Sequence, residues 1–231
     1  MTGVLLVEDE QVLASALEVA IGTEPDMDCV RAVGTVGEAL EKMGRQVPDV
    51  VLIDIELPGA DGIEGTRRIK ATYPEVCVLI LTAGATPRRL VAAAAAGAAG
   101  FVSKDSTFPE ILAAIRNPGE KMVIDGTTLR ALIDECLGGQ PQDAAPAARP
   151  GSEPDWARLT AREREVLALM GEGLDPRAIA AQLVVSLYTA RGHVKNVLTK
   201  LGAHSQLQAV VIAARSGLLP VNVRRPQRLA R

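Results

Sequence analysis

The sequence predicts a two-domain protein, with an α/β domain containing a doubly wound, five-stranded parallel sheet followed by an all-helical domain. In about the first 125 residues, short apolar runs alternate five times with segments whose apolar residues recur at helical spacing. After residue 154, helical spacing and helix-capping residues recur without any strand pattern. The length of 231 residues also suits two small domains.

The five predicted strands are short apolar runs, as expected of parallel strands that are covered on both faces. They are Val4–Val7, Cys29–Val33, Val50–Ile55, Val76–Thr82 and Gly100–Ser103. Helices are predicted after each strand, at Leu13–Ile21, Ala39–Met43, Ile63–Tyr73, Arg88–Gly97 and Pro109–Arg116. In the fourth of these, the part Leu90–Gly97 is nearly all Ala and Val, which suits either a tightly packed helix or a flat face for dimerisation.

The second domain is predicted to contain four helices, each introduced by a capping residue. Thr160 and Glu163 form a capping box, and Asp175 precedes Pro176 at the start of the second helix. Ser186 and Ser205 are the expected caps of the third and fourth helices. The third helix is predicted over Leu187–Leu201, and the fourth ends before Gly217.

Charge divides the chain in the same way. Residues 1–139 contain 12 Lys/Arg and 21 Asp/Glu, whereas residues 155–231 contain 12 Lys/Arg and five Asp/Glu, so the net charge of −3 conceals an acidic part and a basic part. Residues 140–154 are rich in Pro, Ala and Gln and are typical of a flexible linker. We therefore predict domains at 1–125 and 155–220, a connecting segment and linker at 126–154, and a basic tail at 221–231.

Composition disfavours several classes of protein. Aromatic residues make up only 2 %, which argues against stacking platforms for single-stranded nucleic acid. Three separated cysteines and two histidines suggest neither a disulfide framework nor a zinc site. The N-terminus lacks a basic segment typical of a signal peptide, and no apolar run is long enough to span a bilayer. We expect a soluble cytoplasmic protein with no membrane partner.

Charged and hydroxyl side chains stand where the predicted strands end. These residues are Glu8, Asp9, Asp54, Thr82 and Lys104. The carboxyl ends of parallel strands meet at one edge, which is where functional residues collect in doubly wound sheets. A cluster of carboxylates suits Mg²⁺, and a carboxylate beside such a metal can attack a phosphoryl group. Lys104 and Thr82 would then contact phosphoryl oxygens.

The segments VEDE, DIELPGADG, LTA and AGAAGFVSKD resemble the receiver domain of bacterial two-component response regulators over about residues 1–125. The resemblance implies that Asp54 is the phospho-accepting aspartate. It implies that Mg²⁺ is held by Glu8, Asp9, Asp54 and the backbone carbonyl of Glu56. It also identifies Thr82 as the switch hydroxyl, Lys104 as the essential lysine and Phe101 as the switch aromatic. On phosphorylation, Thr82 would move toward the phosphoryl group and Phe101 would turn inward.

The stretch from Leu159 to Ser205 resembles the LuxR-type (NarL/FixJ) helix-turn-helix output domain, with similarity over about residues 158–218. The resemblance makes Leu187–Leu201 the recognition helix, which would lie in the major groove of DNA. The implied DNA-binding residues are Thr189, Arg191, Gly192 and Lys195. Gly192 stands where relatives usually have Val, which removes an apolar contact to the bases. Relatives use the face of the last helix that here carries Ala209, Val210 and Ala213 for dimerisation on DNA.

Together the two resemblances imply a DNA-binding transcriptional response regulator rather than an enzyme. A sensor histidine kinase would phosphorylate Asp54, and phosphorylation would favour a homodimer that binds promoter DNA. One alternative is an aspartate-nucleophile phosphatase, but that chemistry usually requires Asp-x-Asp where this chain has Asp54-Ile-Glu56. Another is a regulator controlled by a ligand without phosphorylation, against which the complete acidic set argues.

Overall fold

The structure is a computed structural model that describes residues 1–29, 32–116, 126–138 and 159–219. A five-stranded sheet with the strand order β2-β1-β3-β4-β5 forms the centre of the first domain, and each pair of neighbouring strands is parallel. The strands are β1 (Thr2–Val7), β2 (Met27–Cys29), β3 (Val50–Asp54), β4 (Cys77–Thr82) and β5 (Gly100–Ser103). The predicted fold class is therefore confirmed.

The prediction for the second strand was wrong in its position. The strand lies at Met27–Cys29, residues 30 and 31 are outside the described residues, and Val33 forms only an isolated bridge with Val7. Because β2 is at the edge of the sheet, its Asp28 is exposed to solvent. This strand has only three residues and includes an acidic one, so it contains no apolar run that could have located it.

Five helices surround the sheet, as predicted: α1 (Gln11–Gly22), α2 (Val36–Met43), α3 (Gly62–Thr72), α4 (Pro87–Ala95) and α5 (Phe108–Arg116). The side chains of Thr35, Asp61 and Thr86 cap α2, α3 and α4 by accepting backbone N–H bonds. These local signals explain why three helices begin directly after loops at the carboxyl edge of the sheet.

A sixth helix, α6 (Gly126–Gly138), falls in the segment that was predicted as a connection. Its apolar residues Leu129, Leu132 and Ile133 are buried, and the helix contacts α4. The predicted linker at 140–154 and the basic tail at 221–231 lie outside the described residues.

The second domain contains the four predicted helices, α7 (Ala161–Gly171), α8 (Pro176–Leu183), α9 (Leu187–Leu201) and α10 (Gln206–Arg215). Thr160 and Glu163 form the predicted capping box, and Asp175, Ser186 and Ser205 cap the next three helices. The turn between α8 and α9 contains Val184 in the left-handed region, at φ 53°.

The two domains share a continuous apolar core. One side of the sheet packs against α1 and α5, while the cluster on the other side continues through α4 and α6 into the helical domain. Helix α10 contacts α4, α6, α7 and α9 and is buried on nearly all sides. Of the two interpretations of α4, the tightly packed helix therefore describes this structure, because α6 and α10 cover it. Within the described residues, no helix combines the length and apolar character needed to cross a bilayer.

Candidate functional site

The register of the parallel strands brings the acidic residues together at the carboxyl edge. Val7 of β1 lies opposite Ile53 of β3, so Glu8 and Asp54 follow from adjacent strands. One carboxylate oxygen each from Glu8, Asp9 and Asp54 lie within 4.8 Å of one another. Glu8 and Asp54 are buried, whereas Asp9 is exposed. The three acids that were predicted to cluster therefore do so.

Lys104 reaches this cluster from the end of β5. Its Nζ lies 2.9 Å from Asp54 Oδ2, 3.0 Å from Glu8 Oε1 and 2.8 Å from Glu8 Oε2. Burial lowers the pKa of the Lys104 ammonium, but its hydrogen bonds to Glu8 and Asp54 outweigh burial and raise that pKa overall. Lys104 is therefore firmly cationic and neutralises part of the acidic cluster.

The surroundings of the Glu8 carboxyl group disfavour its charged form. Burial raises its pKa above the ordinary value, although the hydrogen bond from Lys104 opposes that rise. Its Oε2 atom is buried and, despite the ion-pair contact with Lys104, accepts no hydrogen bond within the described structure. A buried carboxylate oxygen of this kind, beside two further carboxylates, fits the oxygen ligands that a hard divalent cation requires.

The loop after Asp54 is closely packed against the strand that precedes it. The N–H of Glu56 donates to Asp54 Oδ1 at 3.1 Å, while the Glu56 side chain points to solvent and is 73 % exposed. A Cβ atom added to Gly62 would lie 2.1 Å from the Asp54 carbonyl oxygen, so this close approach admits only glycine. The glycine thus holds the start of α3 against the acidic residue.

The two predicted switch residues occupy different surroundings. The hydroxyl of Thr82 accepts the N–H of Gly84 at 3.1 Å, so it bonds to its own loop. Phe101 is 8 % exposed and belongs to the core cluster shared by α4, α6 and the helical domain. The inward turn that was expected of Phe101 on phosphorylation would therefore start from a side chain that is already buried.

The surface of α9 is open to solvent along the predicted DNA-binding residues. Thr189, Arg191, Gly192 and Lys195 are exposed, whereas Ala190, Val194 and Val197 on the other side are buried. The N–H of Thr189 donates to the capping hydroxyl of Ser186 at 3.0 Å. A Cβ atom at Gly192 would meet no other atom within 4 Å, so the backbone is freely accessible there.

Two residues near these surfaces were missed by the sequence analysis. Tyr188 is 88 % exposed at the start of α9, beside the predicted DNA-binding residues. Arg89, at the start of α4, binds the loop that follows Asp54. The sequence contains no periodic signal for either feature. Periodicity does not show that Tyr188 is exposed, and it does not show that Arg89 contacts residues far away in the chain.

The fold and site define a protein with a receiver-type α/β domain and a helix-turn-helix domain. Residues 4–116 match the response regulator receiver domain, and residues 157–213 match the bacterial regulatory proteins of the luxR family. The chain is 33 % identical to the DNA-binding transcriptional activator DevR/DosR of Mycobacterium tuberculosis, over 92 % of this chain and 94 % of that protein. It is 30 % identical to the oxygen regulatory protein NreC of Staphylococcus aureus, over 94 % and 98 % of the two chains.

Solved structures support the same assignment. A LuxR-family two-component response regulator from Aurantimonas sp. SI85-9A1 shares 27 % identity and a TM-score of 0.54, covering 58 % of this chain and 97 % of that one. A structure of two RcsB dimers bound to two parallel DNAs has a TM-score of 0.51 at 22 % identity, covers 93 % and 98 % of the chains, and shows the likeness of fold alone. The chain therefore belongs to the LuxR family of two-component response regulators, which are DNA-binding transcription regulators.

Proposed function

We propose that Asp54 accepts a phosphoryl group from a sensor histidine kinase and that this phosphorylation controls binding to promoter DNA. The observation that carries the proposal is the position of the Lys104 ammonium between the Glu8 and Asp54 carboxylates. The closeness of these three side chains supports a site in which Asp54 is the nucleophile, the other carboxylates are metal ligands and Lys104 binds a phosphoryl oxygen. It supports phosphoryl transfer over regulation by an unrelated ligand.

The residues that would hold Mg²⁺ are Glu8, Asp9 and Asp54, together with the backbone carbonyl of Glu56. When bound there, Mg²⁺ would neutralise charge on the carboxylates and on the transferring phosphoryl group. The Glu8 Oε2 atom, which accepts no hydrogen bond in the described structure, supports this assignment.

The transfer itself is a displacement at phosphorus. A carboxylate oxygen of Asp54 forms a bond to phosphorus while the P–N bond of the kinase phosphohistidine breaks and the imidazole leaves, taking up a proton. Lys104 then exchanges its contact with Asp54 Oδ2 for a phosphoryl oxygen, since charge-assisted bonds to phosphate are strong. Thr82 gives up its contact with the Gly84 N–H and donates its hydroxyl to the phosphoryl group.

The open surface of α9 supports direct binding of double-stranded DNA. Arg191 has the fork of donors that binds guanine in the major groove, and Lys195 provides a charge for a phosphate or a base edge. Thr189 and Gly192 lie on the same exposed surface, with the Gly192 backbone accessible to a close partner. Because the protein acts on promoter DNA, we place it in the cytoplasm.

We also infer that phosphorylation favours a homodimer, and the burial of α10 supports this inference. Relatives use this helix to dimerise on DNA, but here Ala209, Val210 and Ala213 are each 0 % exposed. The covered helix is unavailable to a second copy until it leaves α4 and α6. We infer that phosphorylation shifts the equilibrium toward an open form in which α10 can pair.

The proposal is tested with the full-length chain and an Asp54→Asn variant, each treated with Mg²⁺ and a small acyl-phosphate donor. Sedimentation velocity measures the dimer, and fluorescence anisotropy measures binding to a labelled promoter fragment. The proposal expects phosphodonor to increase both only in the wild-type chain. An equal increase in Asp54→Asn would contradict the assignment of the acceptor.

A further inference from the structure

Arg89 connects the first turn of α4 to the loop that follows Asp54. Its Nη2 donates to the Ile55 carbonyl at 3.1 Å, and its Nη1 donates to Glu56 Oε1 at 3.4 Å. Its Nη2 also lies 3.8 Å from Asp61 Oδ2. The guanidinium group therefore contacts the two residues directly after the proposed phosphoryl acceptor.

The other end of α4 and the loop that follows it are bonded to the helical domain. The side-chain amide of Gln208 donates to the Ala95 carbonyl at 3.1 Å, and the Ser205 hydroxyl donates to the Ala98 carbonyl at 2.8 Å. Gln208 and Ser205 are buried, so both bonds lie within the contact between the domains. They hold the start of α10 against the end of α4.

The length, cap and packing of α4 lead us to expect that it would move as one rigid unit. It has nine residues, which corresponds to a length of about 13 Å. Thr86 caps it, Pro87 stands at its first position, and Leu90, Val91, Ala93 and Ala94 are buried along it. A close-packed helix of this kind transmits a displacement from one end to the other rather than absorbing it.

Phosphorylation would change what Arg89 can bind. A phosphoryl group adds about −1.5 to −2 charges and three strong acceptor oxygens. The fork of a guanidinium group matches phosphate better than it matches one carbonyl and two distant carboxylates. A shift of Arg89 toward the phosphoryl group would therefore displace the start of α4.

From these contacts we propose that Arg89 is a positioning residue that couples phosphorylation of Asp54 to release of α10 from α4. The inference rests on the proposed function, because it requires Asp54 to be phosphorylated. Arg89 would contact the phosphoryl group only after the transfer, so it differs from Asp54 and Lys104, which the transfer itself requires. Arg89 acts through α4, and the bonds of Gln208 and Ser205 at the far end are the ones that break.

The test compares Arg89→Ala with the adjacent, exposed control Arg88→Ala in the full-length chain. Phosphoryl uptake is measured by mass spectrometry, and the dimerisation constant is measured with and without the acyl-phosphate donor. Arg89→Ala is expected to keep phosphoryl uptake and to reduce the phosphorylation-dependent gain in dimerisation by about tenfold, within the usual range of allosteric coupling. Arg88→Ala is expected to keep the full gain. Unchanged coupling in Arg89→Ala would overturn the proposal.

Arg89→Lys is a second variant in case the alanine variant folds poorly. It keeps the charge but loses the fork, so a smaller gain in dimerisation than wild type is expected. A gain equal to that of wild type would count against the role of the guanidinium group.

A double-mutant cycle with Gln208→Ala tests the path through α4. If Arg89 and Gln208 act at two ends of one helix, their effects on the phosphorylation-dependent gain are not additive, whereas independent effects add. Additive effects would therefore contradict the path. Absence of phosphoryl uptake in the wild-type chain would instead refute the proposed function, so the two failures are distinguishable.

Discussion

Lys104 Nζ lies 2.9 Å from Asp54 Oδ2, at the point where β3 and β5 end on either side of β4. The lysine also contacts Glu8, so one ammonium group forms ion pairs with two buried carboxylates from two other strands. The pocket is thereby stabilised by the same side chain that is proposed to receive a phosphoryl oxygen. If the proposed function is correct, the charges of this cluster would couple its stability to the binding of a divalent cation and to phosphorylation.

We predict that Lys104→Met destabilises the first domain in the absence of divalent cations. The substitution leaves Glu8 and Asp54 buried without their cationic partner, which costs on the order of 1–3 kcal/mol in free energy of unfolding. Denaturant unfolding with and without Mg²⁺ measures the effect. Mg²⁺ should restore more stability to the variant than it adds to the wild-type chain, because it replaces the lost charge.

Lys104→Arg is the matched control, since it keeps a positive charge at the same position. It should retain most of the stability that Lys104→Met loses. If Lys104→Met unfolds at the same denaturant concentration as wild type in the absence of Mg²⁺, the ion pairs contribute no stability and this interpretation is wrong.

We predict that acid weakens the contact between the domains through His204. Burial, together with the nearby Lys70 ammonium, holds the pKa of His204 below its ordinary value, while Glu75 opposes this shift. In the open form, in which α10 has left α4 and α6, His204 would have its ordinary pKa of about 6.5. The open form therefore binds more protons than the closed form as the pH falls. A fall in pH through the range near 6.5 should therefore favour separation of α10 from α4 and α6.

Hydrogen exchange of the α10 amides, followed as a function of pH, measures this opening after correction for the intrinsic exchange rates. Wild type should lose protection as the pH falls below about 6.5. His204→Gln should lose much less, because its side chain does not titrate. The same loss of protection in both chains would show that another group is responsible.

We predict that Val184→Gly stabilises the helical domain. Val184 is 90 % exposed and adopts φ 53°, a left-handed conformation that costs a residue with a Cβ atom about 1–2 kcal/mol. Glycine removes most of this cost, although it adds some entropy to the unfolded chain. Thermal unfolding of the full-length chain should show a higher midpoint for the transition of the helical domain. Val184→Ala keeps the Cβ atom and should bring a smaller gain; equal gains would refute the explanation by backbone strain.

We predict that Lys195→Ala weakens DNA binding and flattens its dependence on salt. Removal of one phosphate contact lowers the slope of log affinity against log salt by about one unit. Arg45 is exposed in the loop that follows α2 and is far from α9 in the sequence. Arg45→Ala makes the same change of charge and should leave the slope unchanged. An unchanged slope in Lys195→Ala would remove this lysine from the phosphate contacts.

Four of the five strands were predictable from the sequence because each is a continuous apolar run, and the candidate site was predictable because the carboxyl ends of parallel strands meet at one edge. Once β1, β3, β4 and β5 are placed, the residues that follow them must meet at one edge, as the clustering of Glu8, Asp54 and Lys104 shows. The four helices of the second domain were equally predictable, because their capping residues act locally.

Features that depend on long-range contacts were missed. Arg89 binds Ile55 and Glu56 across more than 30 positions of sequence, and no local pattern indicates that pairing. The edge strand β2 was misplaced because its three residues include the exposed Asp28 and so form no apolar run. Helix α10 is buried on nearly all sides because α4 and α6 cover it, and its own sequence does not reveal these neighbours.

The most direct test of the account is identification of the residue that carries the phosphoryl group. The full-length chain is incubated with Mg²⁺ and a small acyl-phosphate donor, and its peptides are mapped by mass spectrometry beside those of Asp54→Asn. The account predicts one added phosphoryl group, on the peptide that contains Asp54, and none in the variant. A phosphoryl group on another residue, or equal labelling of Asp54→Asn, would contradict it.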